Sequence, residues 1–404
     1  MKFFKNEHGY FFMFILGLYL FSTIVISNLD KGSLITKILG VLFCIVSIYS
    51  VLKNKKPFLK KEIVAVWLFF LWCSIGLAFG TFKYIDVLHL FSKYITLFQL
   101  LLMFTLLLLN IDSDQLFYYI VFVVACSTLI ASVLPFFINH GSYINHRIAG
   151  FSGNANGYGR VALFGMIAFV ILICTKRLRT FKIIFISAIF VLFYCILRSG
   201  SRQCLLGSVL FFGSLYLYFF FNYLRKKFLT VSLISILLII VMVVGAFFVK
   251  EMNIFDRFRR VAEWSLSGDI VGEQSVTGRV YLIQSALNKF PDNPIAGIGI
   301  GHATDVLGIV THNNYTEVLL TTGLVGFVLY YSVYFILFAK LSFLKRKLKK
   351  NKSVNEKTIF FVVWITFFVF LLLELFSVSY MEKNHWLWMA LMIGYSNQKN
   401  KQYA

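Results

Sequence analysis

A histidine, two asparagines, a tyrosine, a threonine and a glutamate stand together where a late apolar run begins. His312 opens this pattern, and Asn313 or Asn314 is a natural helix cap. A histidine at this place meets the positive end of a helix dipole, which disfavours the imidazolium form. Because a neutral imidazole accepts a proton from a hydroxyl group, the pattern indicates a general base. The alternative is a hydrogen-bonded structural histidine, the commoner role of an isolated one.

Arginine is distributed differently from lysine along the chain. Eight of the twelve arginines lie on the side opposite the lysine-rich loops: Arg147, Arg160, Arg198, Arg202, Arg257, Arg259, Arg260 and Arg279. A planar guanidinium grips carboxylate or phosphate through two parallel hydrogen bonds, whereas lysine supplies a point charge. The set predicts an anion-binding surface. The alternative for any one arginine is a pair with a loop acid such as Asp256, Glu263 or Asp269.

Three stretches on the same side combine glycines with polar residues. The first runs from Arg147 to Asn156 and includes Asn154, and its glycines and asparagines permit tight turns and close approach to a ligand. The second, 198–202, joins two apolar runs. The third starts an amphipathic helix near Arg279 and continues into a glycine-rich run at 293–301. No strand precedes that run, so it does not indicate a nucleotide loop.

The composition excludes a water-soluble globule. Of 404 residues, 59% are hydrophobic and only 14% are charged, so lipid is the expected solvent for most of the chain. The net charge of +22 resides largely in short loops between apolar runs, where basic residues set orientation in a membrane. Nucleic acid is therefore not an expected partner, and the lipid bilayer is.

Apolar runs predict an all-α integral membrane protein with about twelve transmembrane helices in a single polytopic domain, 1–404. The runs lie at 10–27, 34–52, 62–80, 85–109, 116–138, 157–175, 183–197, 204–221, 229–249, 314–339, 358–376 and 385–395. Twelve spans place four basic loops and both termini on the cytoplasmic side. The one long connection on the other side, 250–313, is then extracytoplasmic, and loops of this length usually carry function.

Ionisable residues also lie inside the apolar runs, where they are costly and usually functional or paired. Asp86, His89 and Lys93 share one face of the fourth predicted helix, and Arg160, Glu317 and Glu374 lie in the halves of their helices nearer the arginine-rich side. The pattern predicts a polar cavity open to that side. Structural ion pairs between helices are the alternative.

These motifs together resemble the O-antigen ligase and polymerase family of bacterial surface-polysaccharide enzymes. The resemblance includes GF-x-x-N-x-N at 150–156, SR at 201–202, Arg279 followed by NP-x-x-G-x-G at 293–299, and HNNYTEVLLTTGLVG from His312 onward. Two positions depart from it, since Ala155 stands where proline is common and Thr322 where an acidic residue often precedes the glycine.

The resemblance implies a GT-C-like glycosyltransferase that uses an undecaprenyl-pyrophosphate-linked oligosaccharide on the outer face of the bacterial cytoplasmic membrane. No cofactor and no metal are expected. Arg202 and Arg279 would stabilise the leaving pyrophosphate, and His312 would activate the acceptor hydroxyl. A second group would bind substrate or orient the site: Arg147, Arg160, Arg198, Glu317, Asn154 and Asn156.

The favoured function is a polymerase that joins lipid-linked repeat units during capsule or lipopolysaccharide biosynthesis, with the flippase and chain-length regulator of the same pathway as partners. A ligase that transfers the glycan to a lipid core, protein or wall acceptor is the alternative within the family. A lipid-linked oligosaccharide transporter is the competing class, but it would place charges on both sides of the membrane midplane and matching broken helices in two halves. A structural or receptor protein is the third class.

Overall fold

The computed structural model describes residues 7–27, 32–57, 60–79, 87–138, 143–144, 147–175, 178–224, 274–349 and 353–403. Several predicted features lie outside the described residues: the span 229–249, the part of the long loop before 274, Asp86, and the loop residues Arg257, Arg259, Arg260, Asp256, Glu263 and Asp269. The side chains of His89 and Lys93 are also outside the described set.

Helices dominate the described residues. In chain order they are α1 (Glu7–Phe21), α2 (Gly32–Lys53), α3 (Lys61–Phe79), α4 (Val87–Asn110), α5 (Asp114–Val133), α6 (Ala155–Ile173), α7 (Lys182–Ser199), α8 (Arg202–Phe219), α9 (Gln274–Lys289), α10 (Ala303–Leu307), α11 (Asn314–Leu348), α12 (Val354–Glu374) and α13 (Lys383–Gln402). A short antiparallel hairpin, β1 (Tyr143–Ile144) with β2 (Arg147–Ile148), pairs Ile144 with Arg147.

The chain is an α-helical integral membrane protein. Within the described residues, eight helical stretches are long and apolar enough to cross a membrane: Gly9–Ile26, Leu34–Lys53, Asp114–Phe136, Ala155–Ile173, Lys182–Ser199, Arg202–Asn222, Asn314–Leu348 and Val354–Glu374. Each coincides with a predicted span, and α3, α4 and α13 lie where three further spans were predicted. The total of twelve and the GT-C-like architecture stay predictions.

By their contacts the residues form two compact units. The first comprises Met1–Ile120, Thr277–Lys352 and Glu374–Ala404, and the second comprises Val121–Val276 and Ser353–Leu373. The prediction of a single polytopic domain is not tested by this grouping.

Trp386 is the centre of the aromatic core of the first unit. It is 1% exposed, and its ring centroid lies 6.2 Å from Phe69 and 5.2 Å from Phe70 of α3, 5.5 Å from Phe104 of α4 and 5.9 Å from Tyr330 of α11. Aromatic side chains bury large apolar areas and add favourable ring contacts. Helix α13 is therefore held by α3, α4 and α11.

Three ion pairs lie at one face of the first unit: Lys56 with Asp112 at 2.9 Å, Lys340 with Glu62 at 3.2 Å, and Lys399 with Asp114 at 2.9 Å. The first pair joins the connection after α2 to the connection between α4 and α5. The second joins the C-terminal half of α11 to the start of α3, and the third joins the end of α13 to the start of α5. Consecutive helices that end and start at the same face run in opposite directions. That this face is cytoplasmic stays a prediction.

Helix α11 is interrupted at Gly323, whose φ of 64° and ψ of −171° are not helical. An interruption leaves carbonyl groups before it and N–H groups after it without helical partners, which is costly in lipid. Segment 293–301 supplies those partners. Four backbone N–H groups donate to carbonyl groups across the two segments: Ile298 to Leu320 at 3.0 Å, Gly299 to Thr321 at 2.9 Å, Leu324 to Pro294 at 2.8 Å, and Val325 to Ile295 at 3.4 Å.

Two glycines make this close passage possible. A Cβ on Gly297, which has a φ of 73°, would lie 2.5 Å from the backbone nitrogen of Gly323, and a Cβ on Gly323 would collide with the carbonyl oxygen of Ile295. The indole N–H of Trp72 donates to the carbonyl of Thr322 at 2.8 Å. The apolar run expected at 314–339 is thus a longer helix in two parts, and the glycine-rich run is its structural complement.

The second unit is built around α6, which is buried along nearly its whole length. Phe164 of α6 stacks on Phe370 of α12 with 5.0 Å between ring centroids, and Tyr218 of α8 stacks on Phe361 at 4.2 Å. The Tyr158 hydroxyl donates to the carbonyl of Ser132 at 2.6 Å, which ties α6 to the end of α5. These contacts fix the N-terminal end of α6, where the predicted site residues of this unit begin.

Replacing Gly323 with alanine should destabilise the protein, because a residue with a side chain disfavours the positive φ at this position and because the new methyl group would collide with the backbone of segment 293–301. We expect a loss of about 3 kcal/mol in the free energy of unfolding, measured by denaturant titration of the purified protein in detergent. Gly213→Ala is the matched control, since nothing lies within 4 Å of a Cβ there. Equal stability of the two variants would contradict the interlocked arrangement.

Candidate functional site

His312 lies in a tight turn directly before α11. Its φ of 55° is left-handed, a conformation that is uncommon for a residue with a side chain. Around it, the Thr311 hydroxyl donates to the carbonyl of Asn313 at 2.8 Å, and the Asn313 side chain caps α11 by accepting from the N–H of Thr316 at 3.1 Å. The predicted helix cap is confirmed at Asn313. Backbone strain of this kind is kept only where the surroundings hold it, and it is frequent at functional sites.

Glu317 holds the same turn from the first turns of α11. Its carboxylate is buried, at 3% exposure, and accepts a hydrogen bond from the N–H of Thr311 at 2.9 Å. A hydrogen bond to an ionised carboxylate is stronger than a neutral one. Glu317 therefore orients the backbone that carries His312. Its predicted contact with substrate stays a prediction.

The two asparagines after His312 tie α11 to the connection between α12 and α13. The Asn313 amide donates to the carbonyl of Leu375 at 3.3 Å, and the Asn314 side-chain oxygen accepts from the N–H groups of Ser379 at 2.8 Å and Tyr380 at 3.1 Å. Asn314 is fully buried. Both asparagines therefore have structural roles here: Asn313 caps α11, and Asn314 binds the connection between α12 and α13.

Glu374 lies within a cluster of hydroxyl groups in the first unit. It is 1% exposed and accepts from Tyr330 at 2.7 Å, from Tyr331 at 2.9 Å and from Tyr334. The His385 imidazole lies 3.1 Å from the Tyr330 hydroxyl. A buried carboxylate is tolerated only when it is hydrogen-bonded in this way. The structure supports the structural alternative for Glu374.

The cluster also supports an aromatic residue beside the turn of His312. Tyr331, bound to Glu374, stacks on Tyr315 with 5.1 Å between ring centroids and 4° between ring planes. Tyr315 is the second residue of α11 and is partly exposed. Its ring is therefore held in place by a buried network on the part of α11 that follows the break at Gly323.

Arg279 reaches the neighbourhood of His312 because α9 packs on the first part of α11. Ala286 of α9, Ile298 and Leu320 form one buried cluster, to which α10 contributes Ala303. Arg279 lies two turns earlier on α9 and is partly exposed. The segment that closes the break in α11 thus also carries the helix of Arg279.

Two causes lower the pKa of His312 below the ordinary histidine value: burial, which is the larger, and the positive charge of Arg279. The helix dipole predicts the same direction from the sequence. The lowered pKa favours the neutral form of the ring, which is the form that can accept a proton. The effect of Arg279 on this pKa also places the guanidinium within electrostatic reach of the imidazole.

In the second unit, Arg147 binds the corner between α7 and α8. Its Nε donates to the carbonyl of Ser199 at 2.8 Å, and its terminal NH2 donates to the Asn156 side chain at 3.3 Å. Gly200, with a φ of 61°, ends α7, and a Cβ there would lie 3.1 Å from the Arg147 Nε. Glycine is required because a side chain would displace the guanidinium. The motifs at 147–156 and 198–202 are thus one structural unit.

Asn154 caps α6, with its side-chain oxygen accepting from the N–H of Asn156 at 2.9 Å and from that of Gly157 at 3.3 Å. Arg202 is the first residue of α8 and is partly exposed, while Arg160 lies early in α6 and is 8% exposed. Arg202 is therefore more accessible to a ligand than Arg160.

Buried polar atoms collect at the same corner. The Nε of Arg198, the Ser201 hydroxyl and both amide atoms of Gln203 have no hydrogen-bond partner among the described residues, and Gln203 is 4% exposed. Buried polar groups are nearly always paired, with protein, water or a ligand. These polar atoms at the corner between α7 and α8 are therefore available to form hydrogen bonds with water or a ligand.

The structure brings the predicted site residues together in two groups. Arg279, His312 and Glu317 lie in the first unit, and Arg147, Asn154, Asn156, Arg160, Arg198 and Arg202 lie in the second. A common pocket for Arg202, Arg279 and His312 would join the two units, and it stays a prediction.

Sequence reasoning missed several residues that position the site. Asn314 was predicted only as an alternative helix cap, Gly297 and Gly323 only as parts of motifs, and the tyrosines around Glu374 were not predicted to contribute. The spacing of Tyr330 and Tyr334 with buried Glu374 is a weak signal, since hydroxyl groups on one helical face match a carboxylate on another. Nothing local marks Trp72 as the donor to Thr322.

Comparison with known proteins agrees with the sequence motifs. Residues 187–331 match the family model described as O-Antigen ligase. The matched region includes Arg198, Arg202, Arg279, His312 and Glu317. Among curated proteins, none matches the chain. The resemblance to the O-antigen ligase and polymerase family is thereby confirmed.

Removing the charge of Arg279 should raise the pKa of His312, because the guanidinium no longer opposes protonation. In Arg279→Gln the pKa should still lie below 6.5, the ordinary value, since burial remains. NMR titration of ring-labelled histidine measures it, with the His312 signal assigned by its loss in His312→Gln. Lys289→Gln, at the other end of α9, is the control and should leave the pKa unchanged. An unchanged or lowered pKa in Arg279→Gln would overturn the electrostatic coupling.

Proposed function

We propose that this member of the O-antigen ligase and polymerase family is a polymerase that transfers an oligosaccharide from undecaprenyl pyrophosphate to a hydroxyl of another lipid-linked repeat unit. The observation that carries the proposal is the pairing of a neutral, strained His312 with the charge of Arg279 inside the family match. A base and a cation within electrostatic reach are the two groups that a metal-independent glycosyl transfer requires.

In this reaction His312 acts on the acceptor. Its neutral imidazole takes the proton of the acceptor hydroxyl while the oxygen attacks the anomeric carbon of the donor sugar. Glu317 and Asn313 hold the turn that aims the ring. The exposed face of Tyr315, fixed by Tyr331, provides an apolar surface against which a sugar ring can pack.

Arginines act on the leaving group. As the bond between the anomeric carbon and the pyrophosphate oxygen breaks, negative charge grows on the diphosphate, and a preorganised guanidinium stabilises it where water is excluded. Arg279 is assigned this role, with Arg202 as its counterpart from the second unit. Arg198 and Gln203 supply hydrogen-bonding capacity near Arg202, while Arg147 and Asn156 hold the corner in shape.

The site faces the outer side of the bacterial cytoplasmic membrane, with both termini inside. Positive charge supports this orientation, since the predicted cytoplasmic loops are rich in lysine. A lipid-linked donor reaches such a site after translocation, so the flippase and chain-length regulator of the pathway are proposed partners.

Ligase activity is the second candidate, because the matching family model is described as O-Antigen ligase. Transport receives less support. The break in α11 resembles the discontinuous helices of transporters, but protein groups of segment 293–301 occupy its freed backbone positions, whereas a transport site leaves such groups for its cargo.

His312→Ala should lower kcat by at least about 100-fold and Arg279→Gln by about 100- to 1000-fold, because each removes a group that acts on the transition state. The assay uses purified protein and a synthetic lipid-linked repeat unit, with and without chelator. Since the base must be neutral, wild-type kcat/KM should fall only as the pH drops below the ordinary histidine pKa of about 6.5.

Arg346→Gln is the control, because Arg346 lies at the opposite end of α11 and its replacement should leave kcat unchanged. Full activity of His312→Ala would show that His312 is not the general base. Activity abolished by chelator would instead argue for a metal in the role given to the arginines.

Polymerase and ligase are separated by the glycan that accumulates when the gene is deleted. A polymerase deletion should leave single repeat units on the surface acceptor, since only chain growth is lost. Gel electrophoresis of surface glycan and of the lipid-linked pool measures both. Long polymer retained on the lipid carrier would show that the missing step is transfer to the final acceptor, and the ligase assignment would replace ours.

A further inference from the structure

A cavity of about 480 Å³ lies within the first unit, between α2 and α4. Tyr19 of α1 closes one side, and Lys383, the first residue of α13, stands at one end. The volume is within the range of sites that hold small ligands. This cavity contains none of the residues assigned above to glycosyl transfer.

The walls of the cavity are apolar over most of their length. On α2 they run from Thr36 to Ile48 and include Val41 and Ile45, and on α4 they include Phe98. Twelve residues of helix correspond to about 18 Å. Half of a bilayer's hydrocarbon core is about 15 Å thick, so the cavity is about as long as one leaflet.

Two cations lie at the same end of this apolar space. Lys37 is in the first turns of α2, Lys383 begins α13, and both line the cavity. No carboxylate is among the described residues that line it. Both lysines belong to the side predicted to face away from the cytoplasm, so the rule that sets orientation by cytoplasmic lysines does not account for them.

We propose that this cavity binds an anionic phospholipid, with one acyl chain between α2 and α4 and the phosphate between Lys37 and Lys383. The length of the walls fits a chain that crosses a single leaflet, and the paired lysines fit a net negative headgroup. A zwitterionic headgroup brings its own ammonium toward these lysines and is disfavoured.

The same length argues against the much longer polyprenyl chain of the glycan donor as the occupant. A chain of that length extends beyond one leaflet, whereas the apolar walls end near Ile48. The lipid is therefore a separate ligand, one that fills the space between α2 and α4 and neutralises two like charges. Its binding is independent of the proposed reaction.

Native mass spectrometry of the detergent-purified full chain tests the proposal, with dioleoyl phosphatidylglycerol and dioleoyl phosphatidylcholine as probes. Because the acyl chains are identical, any preference reports the headgroup. We expect at least fivefold higher occupancy for phosphatidylglycerol. The variant Lys37→Gln/Lys383→Gln should lose this preference, and Lys53→Gln/Lys55→Gln, at the other end of α2, should keep it.

Filling the cavity tests the acyl-chain part. Cys44 lines the cavity, whereas Leu42 lies on the same helix outside it. Cys44→Trp should reduce occupancy by both lipids at least fivefold, and Leu42→Trp should not. If Cys44→Trp fails to fold, as judged by thermal unfolding in detergent, the lysine variants decide alone.

Three results would overturn the proposal. The first is equal occupancy by the two phospholipids in the wild-type protein, and the second is an unchanged preference in Lys37→Gln/Lys383→Gln. The third is displacement of phosphatidylglycerol by an equimolar amount of undecaprenyl phosphate, which would make the cavity a site for the donor's chain. Glycosyl transfer is measured separately, so failure here leaves the proposed reaction standing.

Discussion

The structure depends on one constraint of the bilayer, that backbone polar groups at membrane depth must find partners within the protein. Helix α11 breaks at Gly323, and the carbonyl and N–H groups released there bond to segment 293–301. The interrupted conformation of α11 is therefore stable only while segment 293–301 remains hydrogen-bonded to it. A glycine-rich run that looks like a ligand loop is therefore first of all the partner of a broken helix.

The constraint also positions the candidate site. Segment 293–301 packs α9 against α11, which brings the charge of Arg279 within reach of His312. Around His312, side chains hold the backbone in a left-handed turn through Thr311, Asn313 and Glu317. The lowered pKa of the imidazole thus follows from packing, through burial and through the neighbouring cation. The same packing therefore determines both the position of His312 and the electrostatic environment of its imidazole.

Several site features followed from the sequence because they are local. Asn313 caps α11, as residue type and position predicted, and each apolar run within the described residues coincides with a helix, although α11 and α13 continue nine and seven residues beyond the predicted ends. Glu317 accepts the N–H of Thr311, next to His312, while its expected role in orienting the histidine stays a prediction. Asn154 caps α6 and Asn156 accepts from Arg147, and the expected binding of a ligand by these two asparagines stays a prediction.

Composition and charge determined by themselves that this is a helical membrane protein, because hydropathy and helix length are properties of short segments that lipid selects directly. Motif order indicated the resemblance to the O-antigen ligase and polymerase family for a similar reason, since the spacing of motifs along the chain can be compared without a tertiary structure. Only the tertiary structure decided that α11 is broken, that Glu374 is buried among tyrosines, and that Arg147 holds the α7–α8 corner. Each of these depends on groups distant in sequence meeting at hydrogen-bond distance, and no local pattern specifies such a meeting.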